Sequence, residues 1–157
     1  MNSSYAQGRE IVQTRLINAK RERVYNAFVD PETIGLWWGP DGFTITTHEM
    51  DVRVGGKWRF IMHGPDGTDY NDIIIYTLID PPKEIRFTHG EDKDGEMSDS
   101  FETILTFEEQ GDKTLLTMRG IFASEAVVKK VVEEHHAIEG GKQTINRLEQ
   151  YLLQNGN

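Results

Sequence analysis

Residues 124–153, SEAVVKKVVEEHHAIEGGKQTINRLEQYLL, decide the fold. Val131, Ile138, Ile145 and Leu152 recur one heptad apart, and Val128, Leu148 and Tyr151 fill the same face. That spacing predicts one amphipathic helix from Ser124, its N-cap, to about Leu153. About 30 residues at ~1.5 Å each span roughly 45 Å. A domain of this length has a radius of gyration near ~15 Å, so the helix crosses all of it. Gly140-Gly141 lies in its middle. Each glycine there costs about 1 kcal/mol relative to alanine, and a kink is expected at the pair.

Upstream, the period changes from helical to alternating. Ile11, Gln13, Arg15 and Ile17 alternate with Val12, Thr14 and Leu16 as a strand. Val24, Ala27 and Phe28 mark a helix ended by Asp30-Pro31, and a second short helix runs from about Glu32 to Leu36. Further strands are expected over Phe43–Met50, Lys57–His63, Asp72–Ile79, Glu84–His89, Ser100–Glu108 and Thr114–Ile121. Turn signals such as Gly64-Pro65-Asp66-Gly67 and EDKDGE (91–96) separate them. Strands joined by short turns are antiparallel. Their covered face needs an amphipathic partner, and only the C-terminal helix is long enough. The expected architecture is α+β: a curved antiparallel sheet wrapped around a long C-terminal helix, with two short helices after the first strand. Residues 1–9 are expected to be a flexible N-terminus and 10–154 a single domain.

Composition narrows the function. Among 157 residues there is no cysteine, which removes disulfides, a cysteine nucleophile and thiolate zinc sites. Lys plus Arg is 17 and Asp plus Glu is 26, a formal charge of −9 that argues against nucleic acid and anionic membrane surfaces. MNSSYAQGRE has no signal-peptide pattern, and no run reaches the ~20 apolar residues of a membrane span. A cytoplasmic protein, monomer or homodimer, without membrane insertion is expected. EDKDGE lacks the ligand order of a calcium loop, and His135-His136-x-x-Glu139 lacks the order of zinc proteases. No Ser–His–Asp arrangement, phosphate loop or dinucleotide fingerprint is visible, and no cofactor or metal is expected.

Several pieces carry a family resemblance. They are RLINAKRERVYNAFVDPETIGLWWGPDGF (15–43), DVRVGGKWRFIM (51–62), YTLIDPPKEIRFTH (76–89) and SFETILTFEEQGDKTLLTM (100–118). In this order they resemble the SRPBCC superfamily, the helix-grip fold of START-domain and birch-pollen-allergen proteins. They look most like bacterial homologues of the C-terminal domain of the heat-shock-protein ATPase activator. The resemblance covers about residues 10–154. It implies an apolar cavity between sheet and C-terminal helix, and a chaperone as a partner to consider. Similar sequences carry Gly-Trp where this chain has Gly140-Gly141. The missing indole on the core stripe implies a void beneath Gly141.

Candidate site residues follow from the faces. Trp58, Phe60 and Met62 share one strand face; Phe101, Thr103 and Leu105 share another; each set lines a pocket or packs as core. Trp37 and Trp38 cover the cavity mouth or anchor the short helices. Phe87 and His89 are expected to face inward with Tyr76, although Ile73 to Tyr76 is apolar on both faces and leaves Tyr76 and Arg86 ambiguous. His135, Ile138, Gly141 and Ile145 contribute from the helix. If His89 and His135 converge, they are the pocket's polar groups. His48 and His63 are expected at strand ends, in solvent. The leading function is binding of a small hydrophobic or aromatic ligand. A cavity enzyme using His89, His135 and Glu139, or a co-chaperone-like domain, are the alternatives.

Overall fold

The turns set the topology. Asp94 and Gly95 both have positive φ, 57° and 91°, the backbone of a two-residue hairpin turn whose twist suits the flanking strands. In the computed structural model, which describes residues 2–155, this turn closes β6 (Glu84–Lys93) onto β7 (Glu96–Gln110). EDKDGE is therefore mostly strand, with only its Asp94-Gly95 core turning. Gly8-Arg9 likewise joins β1 (Ser3–Gln7) to β2 (Glu10–Ile17). The segment expected to be flexible thus contributes an edge strand, registered on β2 from Ser3↔Thr14 to Gln7↔Glu10.

The remaining strands are β3 (Thr44–Met50), β4 (Lys57–His63), β5 (Asp69–Asp80) and β8 (Lys113–Ile121). One eight-stranded antiparallel sheet results, in the order β1-β2-β8-β7-β6-β5-β4-β3. Three register shifts bend it, between Thr47 and Glu49, between Tyr76 and Leu78, and between His89 and Glu91. Each adds one residue to a strand and increases local twist, which makes the sheet concave. Opposite the last shift, Asp99 holds φ +52°. A Cβ on Gly90 would meet Met97 Cγ at 2.6 Å, so only glycine fits beside the bulge.

Helix α1 (Arg21–Val29) buries Val24, Tyr25, Ala27 and Phe28, and a 3-10 turn at Ile34–Leu36 follows. The C-terminal segment covers the concave face, but as two helices: α2 (Glu125–His135) and α3 (Ala137–Gln154). The Ser124 side chain accepts the Val127 N–H, as an N-cap does. The chain breaks at His136, at φ 52° and ψ 43°, whose N–H bonds to the Val131 carbonyl. This corrects the expectation of one helix kinked at Gly140-Gly141, since both glycines lie inside α3. The apolar stripe holds across the break, with Val128, Ile145, Leu148 and Leu152 buried. Two clusters form beneath it. The larger joins α1, α3 and the Trp37–Trp38 segment to the sheet. The smaller gathers Ile11, Phe122 and Val128 with Phe101, Val131, Val132, Ala137 and Ile138.

Candidate functional site

Register fixes which side chains share the concave face. Trp58 pairs with Ile74, Ile74 with His89, and His89 with Phe101; Phe60 pairs with Asp72; Tyr76 pairs with Phe87, and Phe87 with Thr103. Directly opposed residues project to the same side of a sheet. All the strand residues expected at the site therefore lie on one surface. Tyr76 points inward, buried, and burial raises the pKa of its phenol. Arg86 is exposed and pairs with Glu84 on the convex side.

A row of aromatic rings runs along this surface. Trp38 meets Trp58 edge-on at 5.4 Å, and Trp58 stacks on Phe60 at 3.9 Å. Phe60 lies 6.1 Å from the His89 ring, His89 5.1 Å from Phe101, and Phe101 4.7 Å from Phe122. Burial is interrupted within the row: His89 and Phe101 are half-buried, between the buried Phe60 and the buried Phe122. Trp58, Phe60, Phe87, Thr103, Leu105 and Ile145 are buried, whereas Met62, His89, Phe101 and Ile138 are half-buried. The half-buried stretch at His89 and Phe101 is where solvent reaches the concave face.

A polar pair sits at that stretch. His89 Nε2 lies 3.0 Å from Asp72 Oδ2, with the two side chains 16% and 18% exposed. A carboxylate only accepts, so Nε2 carries the hydrogen and donates. Asp72 was not among the expected residues. Its signal was present, an acid two residues before Ile74 on a face that is otherwise apolar.

The resemblance implied an open cavity; the interior is filled. The space among Phe28, Trp38, Trp58, Tyr76 and Phe87 amounts to about 10 Å³, room for one water at most. The void expected beneath Gly141 is also absent. A Cβ there would lie 2.0 Å from Gln13 Nε2, because the buried Gln13 reaches from β2 into the notch and donates to the Ile138 carbonyl at 3.3 Å. Trp37 and Trp38 are both buried, each packed edge-on against Phe28. His135, His136 and Glu139 are exposed around the helix break. His135 thus leaves the inward stripe, and the His89–His135–Glu139 convergence on which an acid–base reading rested is not formed. Among the described residues, no three His, Asp or Glu side chains gather as metal ligands.

Two arrangements were invisible in the sequence. Thr46 Oγ1 lies 2.7 Å from His63 Nε2, and His63 Nδ1 lies 2.8 Å from Asp69 Oδ1. The atoms are ordered as in a hydroxyl–imidazole–carboxylate relay. The relay projects from the convex face at the β3–β4–β5 edge, in solvent, away from the aromatic row. The second is a clasp. Arg147 Nη1 donates to the Trp38, Gly39 and Pro40 carbonyls at 3.2, 2.9 and 3.0 Å, and the Asp41 N–H donates to Gln143 Oε1 at 3.0 Å. Burial lowers the Arg147 pKa, and Asp41 partly offsets this. Beside the clasp lies an open groove of about 430 Å³ lined by Leu36, Asp41, Arg147 and Tyr151.

The profile of a family described as Activator of Hsp90 ATPase homolog 1-like protein matches residues 18–153. A protein from Arthrobacter aurescens, solved by NMR, is 26% identical over 94% of this chain and 88% of its own, with a TM-score of 0.86. A protein from Mycobacterium smegmatis is 28% identical over 92% and 90%, with a TM-score of 0.81. The AHSA1 protein from Silicibacter pomeroyi shares the fold, with a TM-score of 0.74 at 19% identity over 94% and 99%. No curated protein matches the chain. Among the described residues, no helix is long and apolar enough to cross a membrane.

Proposed function

Because the chain belongs to the Activator of Hsp90 ATPase homolog 1-like family, a helix-grip fold built around its concave sheet, we propose that it binds a small apolar or aromatic molecule on that surface. The observation that carries this reading is the Asp72–His89 pair, set inward among Phe60, Phe87 and Phe101 at the half-buried stretch of the row. Ligand sites are mostly apolar and carry a few convergent polar groups. A structural core would place leucine or valine at these positions and avoid the cost of shielding a carboxylate from water. The aromatic rings supply contact area, and the imidazole supplies direction.

Binding ranks above catalysis here because His135 and Glu139, the other groups of the expected acid–base set, are exposed at the helix break and do not join His89. Chaperone activation is named in the family's description, and the Asp72–His89 pair does not bear on it.

The test is an NMR titration of the full chain with indole and naphthalene. Shifts concentrated on His89, Phe101 and Ile138 are expected, and His89→Ala is expected to weaken binding by about tenfold, the loss of one oriented polar contact. Shifts absent for both compounds, or unaffected by His89→Ala, would remove the basis of the reading.

A further inference from the structure

We propose that the Trp38 indole is a built-in occupant of the binding surface, and that the Arg147 clasp sets how readily a planar aromatic guest of indole size replaces it. This rests on the reading above, that the aromatic row receives an aromatic ligand. It adds where the guest goes and what controls entry.

Trp38 is the ring of the Trp38–Trp58–Phe60–His89 row that no strand holds. It follows the 3-10 turn and precedes Gly39, whose φ is +100°. It is 7% exposed, against 1% for Trp37 and for Trp58. Its ring closes the remaining 10 Å³ space, whose other walls include Phe28, Trp58, Tyr76 and Phe87. Withdrawing the indole would open a flat chamber walled by those rings and continuous through Phe60 with His89. The fold would then be a filled grip because one of its own side chains stands in the guest's place.

The restraint on Trp38 is suited to release. A guanidinium nitrogen such as Nη1 carries two hydrogens, yet Nη1 of Arg147 serves three carbonyls. At least one hydrogen is shared, so these bonds are weaker than three separate ones. The adjoining 430 Å³ groove gives the Arg147 side chain space to swing away from the carbonyls it holds. Among the described residues, the other side-chain hydrogen bond to the segment is Gln143 on the Asp41 N–H.

The experiment follows the three indole N–H signals of the 15N-labelled full chain during titration with indole, for wild type, Arg147→Met, Arg147→Lys and Gln143→Ala. Wild type is expected to bind weakly, with the Trp38 signal moving. Arg147→Met is expected to bind roughly tenfold more tightly, because apparent affinity rises with the fraction of binding-competent molecules. Arg147→Lys should fall between the two, and Gln143→Ala should tighten binding a few-fold. If Arg147→Met does not fold, Gln143→Ala decides: affinity equal to wild type overturns the proposal. Binding in all variants with equal affinity and a still Trp38 signal also overturns it, while leaving the binding surface in place. No binding in any variant overturns both.

Discussion

Gly141 and Gln13 show how a single contact redirects a conclusion. A glycine on the core stripe of a helix reads as missing volume. The volume is supplied from a residue 128 positions earlier in the chain, on an alternating strand whose inward face also carries Ile11 and Ile17. The pairing is mutual: the glutamine fits only above a glycine, and the glycine is tolerable only with the glutamine above it. Gly141→Ala is therefore expected to lower stability by about 1–2 kcal/mol, overpacking less the gain in helix propensity. In a Gln13→Ala background the same substitution should instead stabilise, by up to about 1 kcal/mol. Urea denaturation of the four proteins of this cycle measures the coupling. Equal effects of Gly141→Ala in both backgrounds would show that the contact is not what limits this position.

For the elements, the lesson lies in the divided C-terminal helix. Its stripe was legible because side-chain period survives a change of axis. The break was not, since no glycine or proline marks it. His136 takes a left-handed conformation that costs a non-glycine residue roughly 1 kcal/mol or more. The break sits within one packed cluster: Val128 and Val131 of α2 and Ala137 and Ile138 of α3 all pack with Ile11 and Phe122, and α3 then enters the main core at Ile145, Leu148 and Leu152. His136→Gly should raise stability by about 0.5–1 kcal/mol, and His136→Val should lower it by at least as much, read from thermal midpoints. A stabilising His136→Val would mean that the strain is not located there. MNSSYAQGRE has little apolar character of its own, and β1 gains its order by backbone pairing with β2.

At the scale of the molecule, charge describes the exterior and one fastening of the sheet. Burial pushes the Asp92 carboxyl up, but the Arg59 guanidinium at 2.8 Å and the Gly95 N–H at 2.7 Å outweigh this and hold it below its ordinary value of 3.8. These bonds tie β4 to the β6–β7 hairpin across the convex face. A depressed carboxyl stabilises the fold fully above its unfolded pKa, and that contribution is lost as pH falls through the lower folded value. Asp92→Asn is expected to cost about 2 kcal/mol at neutral pH, the value of hydrogen bonds to a charged group. Denaturation across acid pH checks it. The gap between wild type and variant should close below pH 3.8 and stay constant above the ordinary carboxylate range. A gap that persists unchanged into strong acid would assign the loss to packing.

The sequence by itself determined the order of the elements from β2 to β8, the inward faces of most strands, the apolar stripe over them and the family, because period and turn chemistry are local and act wherever the chain goes. It also placed His89 on the inward face. Only the tertiary structure decided what occupies the interior. Gln13 under Gly141, Trp38 among the rings, Arg147 on three carbonyls, Asp72 beside His89 and the Thr46–His63–Asp69 relay are all meetings of side chains from separate elements. Such meetings depend on register, on sheet curvature set by three bulges and on a helix axis bent at His136, and none of these leaves a periodic signal in the chain.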